Sequence, residues 1–139
     1  MNELARIETV IFLQRVDLFR ACDAEQILRI SAIARQQRFN ADETIYAVKD
    51  PSDSLYCVVR GRIDIVDDAG VHRLVASPGT LGVSGILSGR LRTDTATATE
   101  DTLVLALDAD DFFDLLANNI EIVRALFRHL LREPAHEPR

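Results

Sequence analysis

No stretch of the 139-residue chain approaches the ~18 consecutive apolar residues that a membrane-spanning helix needs. The opening MNELARIETV also lacks the basic segment, apolar core and cleavage site of a secretory leader. A soluble, cytoplasmic protein is the expectation. Cysteine is scarce: Cys22 and Cys57 lie in apolar surroundings, without CxxC or Cys/His spacing, so neither a disulfide framework nor a zinc site is indicated. Positive charge is in deficit, with 16 basic against 22 acidic residues and a net charge of −6. That is the wrong sign for a domain that must neutralise a nucleic-acid backbone, so no direct nucleic-acid partner is expected.

Glycine is absent from both ends. All six glycines fall between Gly61 and Gly89, which concentrates the special turns in the middle of the chain. What is present is ample apolar material, 47% of residues, with 27% charged and no long polar tract. The chain should fold as one domain, 1–139.

Helical spacing of Leu4, Ile7, Val10, Ile11 and Leu13, and then of Ile27, Ile30 and Ile33, predicts two short helices within about 3–35, with Asp23 capping the second. From about 38 to 107 the texture becomes short β-rich runs parted by turn residues, which predicts strands at 44–48, 55–59, 62–66, 71–76, 93–99 and 103–107. Turns are expected at 50–53, Gly61 and 67–70, and Ser77-Pro78-Gly79 breaks the ladder. Asp108 is read as the cap of a C-terminal helical region over about 109–133, interrupted at Asn118-Asn119. A frayed tail, 134–139, follows. Helices at both ends of an antiparallel roll make an α+β domain.

This arrangement resembles the cyclic-nucleotide-binding domain, the module of catabolite-activator-type regulators, cyclic-nucleotide-dependent kinases and gated channels. The hairpin ADETIYAVKDPSDSLYCVVRG keeps Ile45, Tyr46, Asp50, Asp53, Leu55, Tyr56, Val58 and Gly61 of the family pattern, with Glu43 shifted by one. Pro78-Gly79 precedes a segment similar to the family's phosphate-binding cassette, here 78–97. The resemblance implies an antiparallel β-roll of double-stranded β-helix or jelly-roll type, flanked by N-terminal and C-terminal helices. It implies that Gly82, Val83, Ser84 and Gly85 form the ligand-binding turn, and that Arg92 and Thr93 meet the phosphate of cyclic AMP or cyclic GMP. A short helix start and an arginine fork suit such an anion. An ordinary surface arginine is the plain alternative at Arg92.

Two positions depart from that pattern. Val83 stands where the family's glutamate accepts from the ribose, and Asp94 replaces an alanine beside the phosphate-binding pair. A carboxylate about 5 Å from a phosphate repels it by roughly 3 kcal/mol at an effective dielectric near 20. Strand alternation also allows Asp94 to pair with Arg92 and block its fork. Ala41 and Lys49, where the family often has glycine, point to altered turns.

A catalytic site is not expected. His72, His129 and His136 neighbour no nucleophile in sequence, and Ser84 lacks the Gly-x-Ser-x-Gly elbow. The Asp108/Asp110/Asp111 cluster reads as helix capping rather than a metal site. A reading helix for DNA is not expected either, since too little chain follows Glu133. The long opening helix and abrupt tail suggest a domain cut from a larger protein. The stripe Val123/Leu126/Phe127/Leu130/Leu131 leaves core packing, contact with parent-protein domains, a ligand lid and a homodimer seam open. The leading expectation is a regulatory, non-catalytic domain with weak, altered or lost cyclic nucleotide binding and no cofactor. The alternatives are an intact cyclic AMP or cyclic GMP sensor and a structural protein-interaction module.

Overall fold

The computed structural model describes residues 3–132, so the expected tail 134–139 and His136 lie outside the described residues. Helix α1 (Arg6–Leu13) stops short, and a 3-10 turn (Asp17–Phe19) leads to α2 (Ala24–Ile33). Asp23 caps α2 as expected: its carboxylate accepts from the Gln26 N–H at 2.8 Å, and the Gln26 side chain accepts from the Asp23 N–H at 2.8 Å. Two orphan amides of the first turn are thereby satisfied.

Eight strands follow: β1 (Ala34–Phe39), β2 (Thr44–Tyr46), β3 (Ser54–Arg60), β4 (Arg62–Asp67), β5 (His72–Ala76), β6 (Thr80–Leu81), β7 (Asp94–Ala98) and β8 (Thr102–Asp108). A short helix, α3 (Val83–Ser88), interrupts them, and α4 (Ala109–Ala117) and α5 (Ile120–Arg132) close the described chain. The strands form two antiparallel sheets in the orders β1-β8-β3-β6 and β2-β7-β4-β5. The expected β-roll with helices at both ends is the observed architecture.

One expected boundary and one expected cap are corrected. The roll begins at Ala34 rather than 38, because ARQQRF pairs as an edge strand with β8 although it has no apolar alternation to announce it. Asp108 precedes α4, but its side chain caps nothing. The carboxylate instead accepts from Arg35 on β1 at 2.8 Å and from the Ser54 hydroxyl at 3.1 Å.

Strands β3 and β8 are covered on both faces, and the alternation of their side chains divides the core in two. Leu55, Cys57, Val59, Leu103, Leu105 and Leu107 face the helices, where Phe12, Phe19, Ile27, Ile30, Phe112 and Ile122 meet them. Tyr56, Val58, Val104 and Ala106 face into the roll, toward Tyr46, Ile63, Ile65, Val75, Leu81, Ala96 and Ala98. The tight turn between β3 and β4 depends on Gly61, whose φ is +95°; a Cβ there would lie 2.6 Å from the backbone of Asp101 and Thr102.

Candidate ligand-binding site

Arg92 enters the roll just before β7, and the loop after β2 fixes its backbone. The Lys49 N–H donates to the Arg92 carbonyl at 2.8 Å, and the Arg92 N–H donates to the Asp50 carbonyl at 2.8 Å. Lys49 itself adopts φ +76°, and Asp42 φ +74°. The turn expected to alter at Lys49 keeps the left-handed conformation that glycine favours, while at the first turn Asp42, the neighbour of Ala41, takes that conformation.

The Arg92 side chain runs inward, not outward: the residue is only 4% exposed. Its Nη1 donates to the Gly82 carbonyl at 3.0 Å and its Nη2 to the Ser54 carbonyl at 2.5 Å. The guanidinium carbon lies 4.1 Å from the centre of the Tyr46 ring. The buried Nε has no hydrogen-bond partner among the described residues. The face of Tyr46 offers the guanidinium negative potential in place of an acceptor. Glycine at 82 and 85 makes room for this arrangement, since a Cβ at Gly82 would come within 2.8 Å of Nη1 and one at Gly85 within 3.0 Å. Gly82 also needs its φ of +83° to start α3.

The self-blocking pair expected between Arg92 and Asp94 is not formed. The Arg92 fork is indeed occupied, but by two backbone carbonyls. Asp94 instead lies near enough to the Tyr46 phenol for its charge to act on it. Burial pushes the Tyr46 phenol up to about 12, the Asp94 charge adding to the rise and Arg92 opposing it.

Gly82, Ser84, Gly85, Arg92 and Thr93 all line one cavity of about 260 Å³. Val83 does not. It packs against the helix-side core and borders an apolar groove with Leu87, Phe112, Leu116 and Val123. The same cavity is lined by Tyr46, Arg73, Ser88, Arg90 and Asp94. Arg73 was legible in principle, because its alternation with Val75 on β5 places it on the inward face. Arg90 lies in a loop, where no periodicity marks it.

A larger hollow of about 720 Å³ lies beside α4, but its single arginine, Arg35, is paired with Asp108 at 2.8 Å, and Asp53, Asp110 and Asp111 leave the lining acidic, the wrong sign for an anionic ligand. This contact holds the Asp108 carboxyl below the usual range, by its hydrogen bond to Arg35 above all. No described histidine lines the cassette cavity: His72 meets Asp64 at 2.9 Å, and His129 meets Asp17 at 3.2 Å. Among the described residues no cluster of His, Cys, Asp or Glu is arranged to hold a metal, and no helix is long and apolar enough to cross a membrane.

Comparison with known proteins agrees with this fold. An uncharacterized NTE family protein of Mycobacterium tuberculosis is 26% identical over 121 residues, covering 86% of this chain and 21% of the relative. The chain therefore spans about a fifth of the length of the curated relatives it matches. The N-terminal domain of a transcriptional regulator from Streptomyces coelicolor superposes with a TM-score of 0.78 at 27% identity, covering 89% of this chain and 92% of that domain. The Thermus thermophilus catabolite activator protein shares the fold at a TM-score of 0.70 and 23% identity, over 86% of this chain and 58% of its own. The family profile described as cyclic nucleotide-binding domain matches residues 36–119, from β1 through the cassette to the end of α4, and the chain belongs to that family.

Proposed function

We propose that the chain is a regulatory, non-catalytic module of a longer polypeptide, in which binding of cyclic AMP or cyclic GMP is weakened or lost. The observation that carries this reading is the burial of Arg92, whose fork is already taken by the Gly82 and Ser54 carbonyls. To turn its Nη1/Nη2 fork toward a phosphate the guanidinium must leave two charge-assisted hydrogen bonds and the Tyr46 ring. That costs about 3 kcal/mol or more, roughly a hundredfold in affinity. Asp94 on the cavity wall adds repulsion toward the same phosphate. Support for a regulatory role within a longer protein comes from the family and from the small share of its curated relatives that the chain spans.

A second reading keeps an intact cyclic nucleotide sensor, and the position of Ser84 and Thr93 on the same cavity wall favours it. Thermal unfolding separates the two. A ligand at a hundred times its dissociation constant adds about 2.7 kcal/mol, or on the order of ten degrees for a domain of this size. Weakened binding predicts a rise of under about two degrees with ~1 mM cyclic AMP or cyclic GMP. A saturable rise of about ten degrees, reduced in Ser84→Ala, would establish the sensor instead.

A further inference from the structure

Across the inner face of the second sheet, Tyr46 on β2 stands opposite Ala96 on β7, Ala96 opposite Ile65 on β4, and Ile65 opposite Arg73 on β5. Directly opposed residues of an antiparallel pair share a face, so these four side chains form one rank. Ile65 and Ala96 are buried in the roll, which fixes that face as the inner one. Three inter-strand steps of ~4.8 Å separate Tyr46 from Arg73 by about 14 Å along the rank, and small Ala96 leaves room for a long side chain to lean across.

Arg73 and Arg90 are both exposed and line the same cavity as Arg92. Among the described residues neither forms an ion pair. The Arg90 backbone is anchored where its carbonyl accepts from the Ser52 hydroxyl at 2.5 Å. Three guanidinium groups against the single carboxylate of Asp94 give the cavity lining a net charge of +2. A cyclic phosphodiester brings one negative charge, whereas a phosphomonoester brings about 1.5 to 2 near neutral pH. At about 260 Å³ the cavity falls below the ~300–1,000 Å³ usual for drug-sized ligands.

We propose that this cavity receives a compact phosphate dianion, as inorganic phosphate or as the terminal group of a phosphomonoester, held by Arg73 and Arg90 with the hydroxyls of Ser84, Ser88 and Thr93. The inference rests on the reading that Arg92 braces the site and does not grip the ligand. Arginine forks from two walls supply the planar paired donors that a phosphate accepts.

The test is calorimetric titration and thermal unfolding of the whole chain at constant ionic strength, with inorganic phosphate, adenosine 5′-monophosphate and cyclic AMP as probes. Arg73→Gln and Arg90→Gln are exposed substitutions expected to leave the unliganded melting curve in place. The proposal expects saturable binding of inorganic phosphate or the monophosphate, roughly tenfold to a hundredfold weaker in each variant. Affinity for adenosine 5′-monophosphate should also fall below about pH 6, where its dianion takes up a proton. Tighter binding of the monophosphate than of inorganic phosphate would identify a phosphomonoester as the source; the reverse would identify the ion itself. Absence of saturable binding with both, or binding unchanged in both variants, would overturn the proposal. Tight, Arg92-dependent binding of cyclic AMP would instead overturn the reading of weakened nucleotide binding, so the two failures are distinct.

Discussion

Replacing Arg92 by alanine removes the donors that the Gly82 and Ser54 carbonyls accept from and leaves a void over the Tyr46 ring. For a side chain that only waits for ligand, the same change would leave the unliganded protein almost untouched. Here the expected loss is about 3 kcal/mol or more, read as a fall in Tm of roughly ten degrees. Arg92→Lys keeps the charge but not the planar fork, so its Tm should lie between the two. An unliganded Tm for Arg92→Ala within about two degrees of the parent would show that the buried contacts contribute nothing. The position of Arg92 followed from the cassette pattern, but its direction did not. Strand alternation proposed Asp94 as its partner, and the partners are backbone carbonyls on two distant segments, which no side-chain pattern records. The Tyr46 ring gives Arg92 a face to lie against, while the Asp94 charge acts on the phenol of the same residue.

Among the elements, the six strands legible in the sequence carry apolar or β-branched runs on at least one buried face. The two that were not read lack that signal. β1 is an edge strand of polar residues that continues directly from α2, and β6 is two residues long, shorter than any period. Helix ends show the same division. Asp23 and Asp108 look alike in sequence, each an aspartate before an apolar helix, yet only the Asp23 carboxylate accepts from a helix amide. Ser54 and Arg35 lie close enough to claim Asp108 for the seam between β1, β3 and β8. Asp23→Ala should therefore cost about 1 kcal/mol in chemical denaturation, the usual worth of a cap. In Asp108→Ala the helix end should be unaffected while the β1 edge loosens, visible as faster amide exchange in β1 than in α4. Equal acceleration in both elements would return Asp108 to a capping role.

At the scale of the whole molecule, burial of ionisable groups on both sides of the shared β3–β8 layer gives the fold an alkaline weakness. Cys57 faces the helices and is fully buried, and burial pushes its thiol up to about 12 from an ordinary value near 9. Tyr46 faces the roll and is raised to about 12 by burial and by Asp94. Half-buried Cys22 is raised to about 11, burial first and Asp23 second. In each case the folded pKa lies above the unfolded one, so the folded state holds its proton after the unfolded chain has released it. Stability is then fully present below about pH 9 and declines as pH rises toward 12. Through that interval a single such group removes about 1.4 kcal/mol per pH unit. Urea unfolding at fixed pH values between about 8 and 11 should show the midpoint falling progressively, and Cys57→Ala, though less stable at pH 8, should give a shallower fall. An unchanged slope in that variant would mean that the thiol ionises without unfolding the layer. Because the helix-side core and the roll interior share β3 and β8, titration on either side should melt both together, as one transition by far-ultraviolet circular dichroism and by tyrosine absorbance.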